Sequence, residues 1–402
     1  MAVAKIGELT YETLADAITA ANSIEGDVTI TLIADIEFNS KCSITKNLII
    51  DGAYTLTRAT SYVGNLFTVS SGVTLTLKDF TVDGNNNWVL DAVAYDEALY
   101  SGTRVTDVAT FITLEDGAPV ATADLIIVSG SVITDGVTIC NNAGTAAGGI
   151  FTVNSGATLT TKDTVITHIY SSSNNVVASV TSGGTWTIET GTEISDCYAG
   201  GNGGISRCDG HLIMNGGTIE NNKAVNANGT VFMFYGSSSY FETNDGIIRG
   251  NSGCIGKNNG RNAAIYMHSK STMVMNGGVI EVNVGWGSGG IDAPYTDGRG
   301  STVTIYDGAV INNVAVSGGN TGDIRGSTEI IIYGGTFTQN VSEWCAEDYA
   351  VVQFADGTWG VKTILFQAYA QVDGIIYKAD MYTCMNGVIY KVKAIQSRLD
   401  IN

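Results

Sequence analysis

The feature that most constrains this chain is an imperfect repeat in which each unit ends in asparagine. The clearest copies are LIMNGGTIENN ending at Asn222, MVMNGGVIEVN ending at Asn283, TIYDGAVINN ending at Asn313 and IIYGGTFTQN ending at Asn340. The central glycine recurs at a nearly even spacing, at Gly191, Gly217, Gly246, Gly278, Gly308 and Gly335. Self-similarity at a period of roughly 28 residues indicates a solenoid, in which each repeat is buried by its neighbours.

Within each unit, apolar residues alternate with polar ones on both sides of the glycine, as in strands with one buried face. The apolar positions three residues before it are Ile188, Met214, Met275, Ile305 and Ile332, and those two residues after it are Ile219, Ile248, Ile280, Val310 and Phe337. A third strand recurs in each unit, as in TVFMF at Val231 and AAIYM at Ile265. Three short strands per coil predict an all-β fold, a right-handed three-sided parallel β-helix.

The position five residues after the glycine predicts a ladder of stacked side chains. It holds Asn141, Asn222, Asn251, Asn283, Asn313 and Asn340, with His168 and Asp196 in the same column. Coils stack about 4.8 Å apart. An inward asparagine amide can therefore donate to one neighbouring coil and accept from the other.

The solenoid is predicted to span residues 27–342, as about ten to eleven coils with an insertion at 85–125. The step from Asp79 to Gly136 is twice the usual interval, which predicts a degenerate coil near Asp107.

Both ends of a solenoid need protection, because an open coil presents unpaired strand edges. Residues 1–26 are predicted to form a capping helix, with Thr10 as its N-cap and an apolar face made of Leu14, Ala17, Ile18 and Ala21. Residues 343–402 are predicted to form a small antiparallel β module. Asp373-Gly374 and Asn386-Gly387 are its hairpin turns, and it caps the last coil, forms an oligomer contact, or does both.

The composition disfavours several classes of partner. The net charge of −19 repels nucleic acid and anionic membranes, and no apolar run is long enough to cross a bilayer. The seven cysteines are widely spaced without a C-x-x-C, so buried free thiols are expected rather than disulfides or a metal site, and no cofactor is expected. Charged residues interrupt the N-terminal segment, which predicts synthesis in a cytoplasm without a signal peptide.

The segments GDVTITLIADI, LTLKDFTVDGNN and the MNGGTIENN-type units resemble the pectate-lyase-like parallel β-helix superfamily over roughly residues 5–357. They look most similar to the glycine- and asparagine-rich solenoids of bacteriophage fibres and spikes and of gut-bacterial surface proteins. The resemblance implies a fold much more strongly than a function.

Enzymes of this superfamily cleave polysaccharides, but the chain lacks the Asn-Thr-Asp, Asp-Asp, Gly-His-Gly and Arg-x-Lys motifs of its polygalacturonase-like members. A carboxylate pair on adjacent coils would suffice for glycoside hydrolysis. The candidates for such a pair are Asp292, Asp297 and Asp323, and solvated turn carboxylates are the alternative reading.

Sugar binding has candidates in two segments that break the repeat. Aromatic rings beside short polar side chains suit sugars. The candidates are Trp88, Tyr95 and Asp96 in the first segment and Trp286, Asp292, Tyr295 and Arg299 in the second. The alternative is that these aromatics pack the loops onto the coils or fill subunit contacts.

The sequence therefore predicts a structural or receptor-binding protein of a bacteriophage virion, a fibre, spike or capsid-decorating rod, and it favours a non-enzyme. Its expected partners are two further copies in a homotrimer, other virion proteins and a host surface polysaccharide. The alternatives are a surface-polysaccharide depolymerase and an adhesin on a bacterial cell surface.

Overall fold

The computed structural model describes residues 1–402 except 145–148, 226, 255–262, 269, 295–299, 318–321, 327–328, 364–368, 373–374, 379–381, 386–387 and 392–402, and it describes no side chains beyond residue 363. The described chain is a parallel β-solenoid of about ten turns, which confirms the predicted fold class. Each coil contributes one segment to each of three sheets, named A, B and C in the order in which the chain passes through them.

Sheet A begins with an antiparallel hairpin and continues as eleven parallel strands. Its strands in spatial order are Leu9–Tyr11, Ala4–Ile6, Val28–Leu32, Leu48–Asp51, Thr74–Lys78, Ser131–Asp135, Thr158–Lys162, Thr185–Ile188, His211–Met214, Tyr240–Thr243, Thr272–Met275, Thr302–Ile305 and Glu329–Ile332. In the described part of the chain, sheet C contains ten parallel strands: Cys42–Ile44, Phe67–Val69, Ile126–Val128, Phe151–Val153, Ala178–Val180, Ser206–Cys208, Phe232–Tyr235, Ile265–His268, Ile291–Ala293 and Ile324–Gly326.

Sheet B bends within most coils, so that from the sixth to the tenth coil each coil supplies two short strands. Its members are Ile36–Phe38, Thr55–Arg58, Thr81–Asp83, Thr138–Gly144, Val165–Ser171, Glu193–Ser195, Tyr198–Ala199, Thr218–Glu220, Lys223–Val225, Ile247–Arg249, Ser252–Cys254, Val279–Glu281, Val284–Gly285, Ala309–Ile311, Val314–Ala315 and Thr336–Phe337. The bend carries a residue with positive φ, such as His168 (57°) or Asn221 (57°).

The strand register places the predicted apolar columns inside the solenoid. Ile188 pairs with Met214, and Met275 pairs with Ile305, which pairs with Ile332. All five side chains are buried in one continuous core. The corner glycines also have the positive φ that a tight turn requires, as at Gly217 (82°) and Gly278 (88°).

The prediction of a degenerate coil near Asp107 is wrong. Strand Thr74–Lys78 pairs directly with Ser131–Asp135, and Thr81–Asp83 pairs directly with Thr138–Gly144. The long interval is therefore one coil carrying an insertion. The insertion contains a short antiparallel pair, Val89–Leu90 with Ile112–Thr113, and a helix at Ala92–Ser101, which is the second helix of the chain, α2. We call residues 85–125 the strap.

The inward asparagine ladder exists, but it has four asparagines instead of six. The amides of Asn222, Asn251 and Asn283 each donate to the Oδ1 of the next asparagine, at 2.9, 2.9 and 3.0 Å, ending at Asn313. The Oδ1 atoms also accept from the backbone N–H of the previous coil, as Asn251 does from Asn222 at 3.0 Å. All four side chains are buried.

Asn141 does not belong to this column, and neither do His168 and Asp196. Ile139 lies three positions after Gly136, whereas the equivalent Ile219 lies two positions after Gly217. This extra residue shifts the earlier coils by one position. Asn141, His168 and Asp196 consequently occupy the positive-φ bend, while the ladder position holds Asn142, Ile169 and Cys197.

The ladder column begins and ends on charged residues. At the N-terminal side, the fully buried Arg58 donates to Asn142 Oδ1 at 3.0 Å and to Gly64 O at 2.8 Å, and burial lowers the pKa of its guanidinium to about 10. At the C-terminal side, Asn313 donates to Asp323 Oδ1. Asn340 is exposed and accepts from the Ser342 N–H, so it does not extend the ladder as predicted.

A second asparagine column lies on the surface, at the corner that follows sheet A. Asn215 donates to Glu189 Oε1 at 3.0 Å, Asn244 donates to Asn215 Oδ1 at 2.9 Å, and Asn276 donates to Asn244 Oδ1 at 2.8 Å. In the next two coils Tyr306 and Tyr333 hold this position, and their rings stack at 5.1 Å.

The N-terminal helix covers the first coil as predicted. This helix, α1, spans Leu14–Ala21 and buries the four predicted apolar residues. Its N-cap is Thr13 rather than Thr10, because the Thr13 hydroxyl accepts from the Asp16 N–H. After the helix, the Asn22 side chain pairs with the edge strand of sheet C by donating to Ser43 O at 3.1 Å.

Two elements of the described chain cover the C-terminal end of the solenoid. Strands Tyr349–Gln353 and Trp359–Thr363 form a hairpin whose second strand pairs antiparallel with Thr336–Phe337 of sheet B. The Gln339 amide donates to Ile324 O at 2.9 Å and accepts from the Ile324 N–H at 3.1 Å, so it takes the place of a further strand in sheet C.

Two further antiparallel pairs follow, which confirms both predicted hairpins. They join Tyr369–Val372 to Ile375–Lys378 and Tyr382–Met385 to Val388–Lys391. Their turn residues lie outside the described part of the chain.

Six cysteine side chains are described, and all six are free thiols. Cys42, Cys197, Cys208 and Cys254 are buried, whereas Cys140 and Cys345 are partly exposed. Burial raises the pKa of Cys197 and of Cys208 to about 12.

Candidate functional site

The strap lies against the outer face of sheet B and forms a second apolar cluster there. The members of this cluster are Trp88, Tyr95, Leu99, Val105, Phe111, Ala143, Tyr170, Tyr198, Val225 and Cys254. The strap thus covers outward side chains from five successive coils. Without the strap, the bulky tyrosines at these outward positions would face water.

Two predicted sugar-binding aromatics are anchors of the strap. Trp88 is 3% exposed, stacks on the His168 ring at 4.3 Å and donates its indole N–H to His168 O at 3.0 Å. Tyr95 is fully buried, and its hydroxyl lies 2.7 Å from Ser252 O and 3.1 Å from Ala224 O. Neither residue presents a ring face to a ligand.

The remaining strap candidate, Asp96, is exposed and forms an ion pair with Lys223 at 3.4 Å. The Lys223 ammonium also lies 4.6 Å from the centre of the Tyr95 ring. Trp286 is half-buried against the end of α2, where a Cβ on Gly102 would come within 2.5 Å of its ring. The candidates Tyr295, Asp297 and Arg299 lie outside the described residues.

Asp323 is engaged on both carboxylate oxygens. Its Oδ1 accepts from the Asn313 backbone and side-chain amides, both at 3.1 Å, and its Oδ2 accepts from the N–H groups of Thr338 at 2.8 Å and Gln339 at 3.1 Å. Burial raises the pKa of this carboxyl, and the four N–H donors oppose that rise. Such an arrangement suits a structural end to the ladder.

Asp292 lies elsewhere, on the outward side of sheet C. It is fully buried, and its Oδ2 lies 3.9 Å from the Arg325 guanidinium on the next coil. The structure does not bring Asp292 and Asp323 together as a pair sharing a substrate, since Asp323 is enclosed by the ladder and the last coil.

Asp292 belongs to a column of outward side chains that changes along the solenoid from small hydroxyl residues to mostly charged and aromatic ones. The equivalent outward position of sheet C holds Thr152 and then Ser179 in the earlier coils. From the next coil onward the register continues as Arg207, Met233, Tyr266, Asp292 and Arg325.

A second column lies two residues further along the same strands. Tyr235 pairs with His268, and their rings stack at 4.7 Å with an angle of 23°. The Arg207 guanidinium lies 4.8 Å from the Tyr235 ring centre and donates to Asp209 at 3.3 and 3.4 Å. The Tyr266 ring lies 6.0 Å from His268.

We call this region the sheet C patch, and we define it by Arg207, Asp209, Tyr235, Tyr266, His268, Asp292 and Arg325. Tyr235, Arg207, Asp209 and Arg325 are partly exposed, whereas Tyr266 and Asp292 form its floor. The patch offers two ion pairs, an imidazole and a phenol on a rigid stack of coils, which is a preorganised set of hydrogen-bonding groups.

Among the patch residues, Asp292 was predicted from the sequence as a site residue. Arginines and histidine are scattered in the sequence, because their separations vary with the lengths of the loops between coils. Aligning the third strand of every coil, as in SRCDG, FMFYG, IYMHS and IRG, would have exposed the change from Thr and Ser to charged and aromatic residues.

No group of three or more His, Cys, Asp or Glu side chains among the described residues is arranged to hold a metal ion. No helix in that part of the chain is long and apolar enough to cross a membrane.

Comparison of this chain with protein-family models, with curated proteins and with solved structures finds no match.

Proposed function

We propose that this protein is a glycan-binding rod, and that it serves as a fibre, spike or decorating element of a bacteriophage virion. The observation that carries the glycan-binding part is the sheet C patch. Its hydrogen-bonding side chains come from successive coils in register, on a solenoid whose core holds them in place.

The rod-like architecture supports a structural role. The described coils form one continuous core, and side chains or hairpins cover strand edges at both ends. A solenoid of this kind is stiff along its axis, because each coil is hydrogen-bonded to the next. The virion placement is supported by the resemblance of the repeat units to phage solenoids.

The two described candidate carboxylates, Asp292 and Asp323, favour binding over catalysis. A glycosidase acid must reach the glycosidic oxygen of its substrate. Asp292 is fully buried against Arg325, and Asp323 has four N–H donors around it. We therefore propose a binding protein, with a polysaccharide depolymerase as the rival function.

A glycan array tests the binding function. We expect the intact protein to bind a subset of bacterial surface glycans, and we expect Tyr235→Ala to lose that binding. Tyr306→Ala is the matched control, because Tyr306 is also an exposed tyrosine stacked on a neighbouring coil. Retained binding in Tyr235→Ala would remove the patch from the proposal, and release of reducing ends from the bound glycan would establish the depolymerase.

Two measurements test the virion role. Mass spectrometry of purified phage particles should detect the chain, and recovery from a bacterial envelope fraction alone would favour the adhesin. Light scattering should give three times the 42.0 kDa of one chain if the protein is a homotrimer.

A further inference from the structure

The charge of the sheet C patch is balanced within the patch. Arg207 is paired with Asp209 at 3.3 Å, and Arg325 lies 3.9 Å from Asp292. Two guanidinium groups therefore face two carboxylates among the described residues. The chain as a whole carries a net charge of −19, and the described residues of the patch have no surplus of positive charge with which to attract an anion.

Donors and acceptors alternate across the exposed part of the patch. The side chains of Arg207 and Asp209 are each 35% exposed, and that of Arg325 is 33% exposed. A guanidinium has five N–H donors and a carboxylate has about four acceptor sites, so both retain capacity after pairing with each other. A sugar hydroxyl both donates and accepts, and it can satisfy both kinds of group. A carboxylate, sulfate or phosphate only accepts, and it would meet Asp209.

The Tyr235 ring is enclosed along the solenoid axis. The Arg207 guanidinium lies 4.8 Å from its centre, and the His268 ring stacks on it at 4.7 Å from the next coil. Arg207 and His268 come from the coils before and after Tyr235, so they cover its two faces. Tyr235 is 42% exposed. Because both ring faces are covered, a ligand would contact its ring edge and hydroxyl, and would be bound by hydrogen bonds rather than by stacking.

The patch is also long. From Arg207 to Arg325 the register advances by four coils, which is about 19 Å at the usual strand spacing. A single sugar ring would contact only part of that length. An extended chain of several sugars lying parallel to the axis would contact the Arg207–Asp209 pair and Arg325 together.

We propose that the sheet C patch binds a neutral oligosaccharide along the solenoid axis, in preference to a glycan that carries carboxylate, sulfate or phosphate groups. This inference rests on the glycan-binding function proposed above and names its ligand class. Asp292 acts as a positioning residue, since it holds Arg325 without itself reaching the ligand.

The test is a titration of the full chain with two sets of oligosaccharides of equal length. One set is neutral, for example gluco-, galacto- and manno-oligosaccharides, and the other is anionic, for example oligogalacturonate and chondroitin sulfate. We expect measurable affinity in the neutral set. We also expect that affinity to change less than about twofold between about 50 mM and about 500 mM salt, because screening weakens only charge-driven binding.

Paired arginine variants locate the site. Arg207→Gln should weaken binding of the neutral ligand by about tenfold or more. The variant removes the guanidinium donors and leaves Asp209 without its ion-pair partner. Arg249→Gln is the matched control: Arg249 is an exposed arginine paired with Glu220 at 2.6 Å on sheet B. Circular dichroism and the thermal midpoint show whether each variant is folded.

The outcomes separate this inference from the function on which it rests. Binding confined to the anionic set, with a strong salt dependence, would overturn the neutral-ligand inference and leave glycan binding standing. Equal effects of Arg207→Gln and Arg249→Gln would also overturn it, because the ligand would then lie elsewhere. A failure to bind either set or any arrayed glycan would overturn the proposed function itself.

Discussion

Asn313 donates its side-chain amide to Oδ1 of Asp323 at 3.1 Å, and this bond ends the internal ladder of the solenoid. The four asparagines before Asp323 pass hydrogen bonds from coil to coil in one direction. The last position needs acceptors, because the other groups that face it are the N–H groups of Thr338 and Gln339. A carboxylate meets that need and a carboxamide does not.

Replacing Asp323 with asparagine should therefore destabilise the C-terminal coils. One oxygen would become an NH2 group facing N–H donors, which leaves buried groups unsatisfied at a cost of about 1–3 kcal/mol. The measurement is the free energy of the first transition in urea. Asp307→Asn is the control, since Asp307 is exposed and accepts from the N–H of Gly308 beside it. Equal stability of the two variants would contradict the role assigned to Asp323.

Asn251→Ala should cost more than Asn340→Ala. Asn251 is buried, accepts from Asn222 and donates to Asn283. Its replacement would leave hydrogen-bonding groups on both neighbouring coils without a partner, and should lower the free energy of unfolding by about 3 kcal/mol. Asn340 is exposed and accepts from Ser342, so its replacement should change stability by about 0.5 kcal/mol or less. Comparable losses in thermal denaturation would mean that the ladder extends to Asn340 after all.

Tyr95→Phe should loosen the strap without unfolding the solenoid. The variant removes the hydroxyl that bonds to Ser252 O and leaves the ring in place, at an expected cost of about 1 kcal/mol. Hydrogen exchange should speed up about fivefold in α2 and stay unchanged in sheet A. Tyr100→Phe, which changes an exposed tyrosine on the same helix, should leave both rates as they are.

The buried thiols predict an alkaline loss of stability. Cys197 and Cys208 have pKa values of about 12 when folded and an ordinary pKa of 9.0, so above pH 9 the folded chain holds protons that the unfolded chain releases. Stability should therefore fall as the pH rises from 9 towards 12, by about 1.4 kcal/mol per pH unit for each such thiol.

Cys208→Ala provides the check on that slope. The variant is expected to be less stable at pH 8, because Cys208 is buried in the core, yet its stability should decline less steeply above pH 9. An unchanged slope would show that other groups cause the alkaline loss. At pH 8 a thiol reagent should modify Cys140 and Cys345 of the native protein before it modifies Cys197 or Cys208.

The sequence predicted the parts of the fold that repeat. Alternation around a glycine is local, and its recurrence at a nearly constant spacing leaves stacked parallel strands as the arrangement that buries every copy. The apolar face of α1 and the two C-terminal hairpins were predictable for the same reason, since periodicity and turn residues act within a few positions.

The ladder positions were predicted correctly only in coils with the same number of residues between the corner glycine and sheet B. Counting from the glycine, the coils at Gly136 and Gly191 use one residue more than the coil at Gly217 before sheet B begins. Because side chains alternate, a difference of one residue moves a position from the interior to the bend. The predicted place of Asn141 in the ladder was wrong for this reason.

The sequence by itself determined that this chain is a β-solenoid with an inward asparagine column and protected ends, because those features follow from spacing along the chain. Only the tertiary structure decided that the strap buries Trp88 and Tyr95, that Asp323 rather than Asn340 ends the ladder, and that Arg207, Tyr235 and Arg325 share one surface. Loops of unequal length separate those residues in the chain, and stacking of the coils brings them into register.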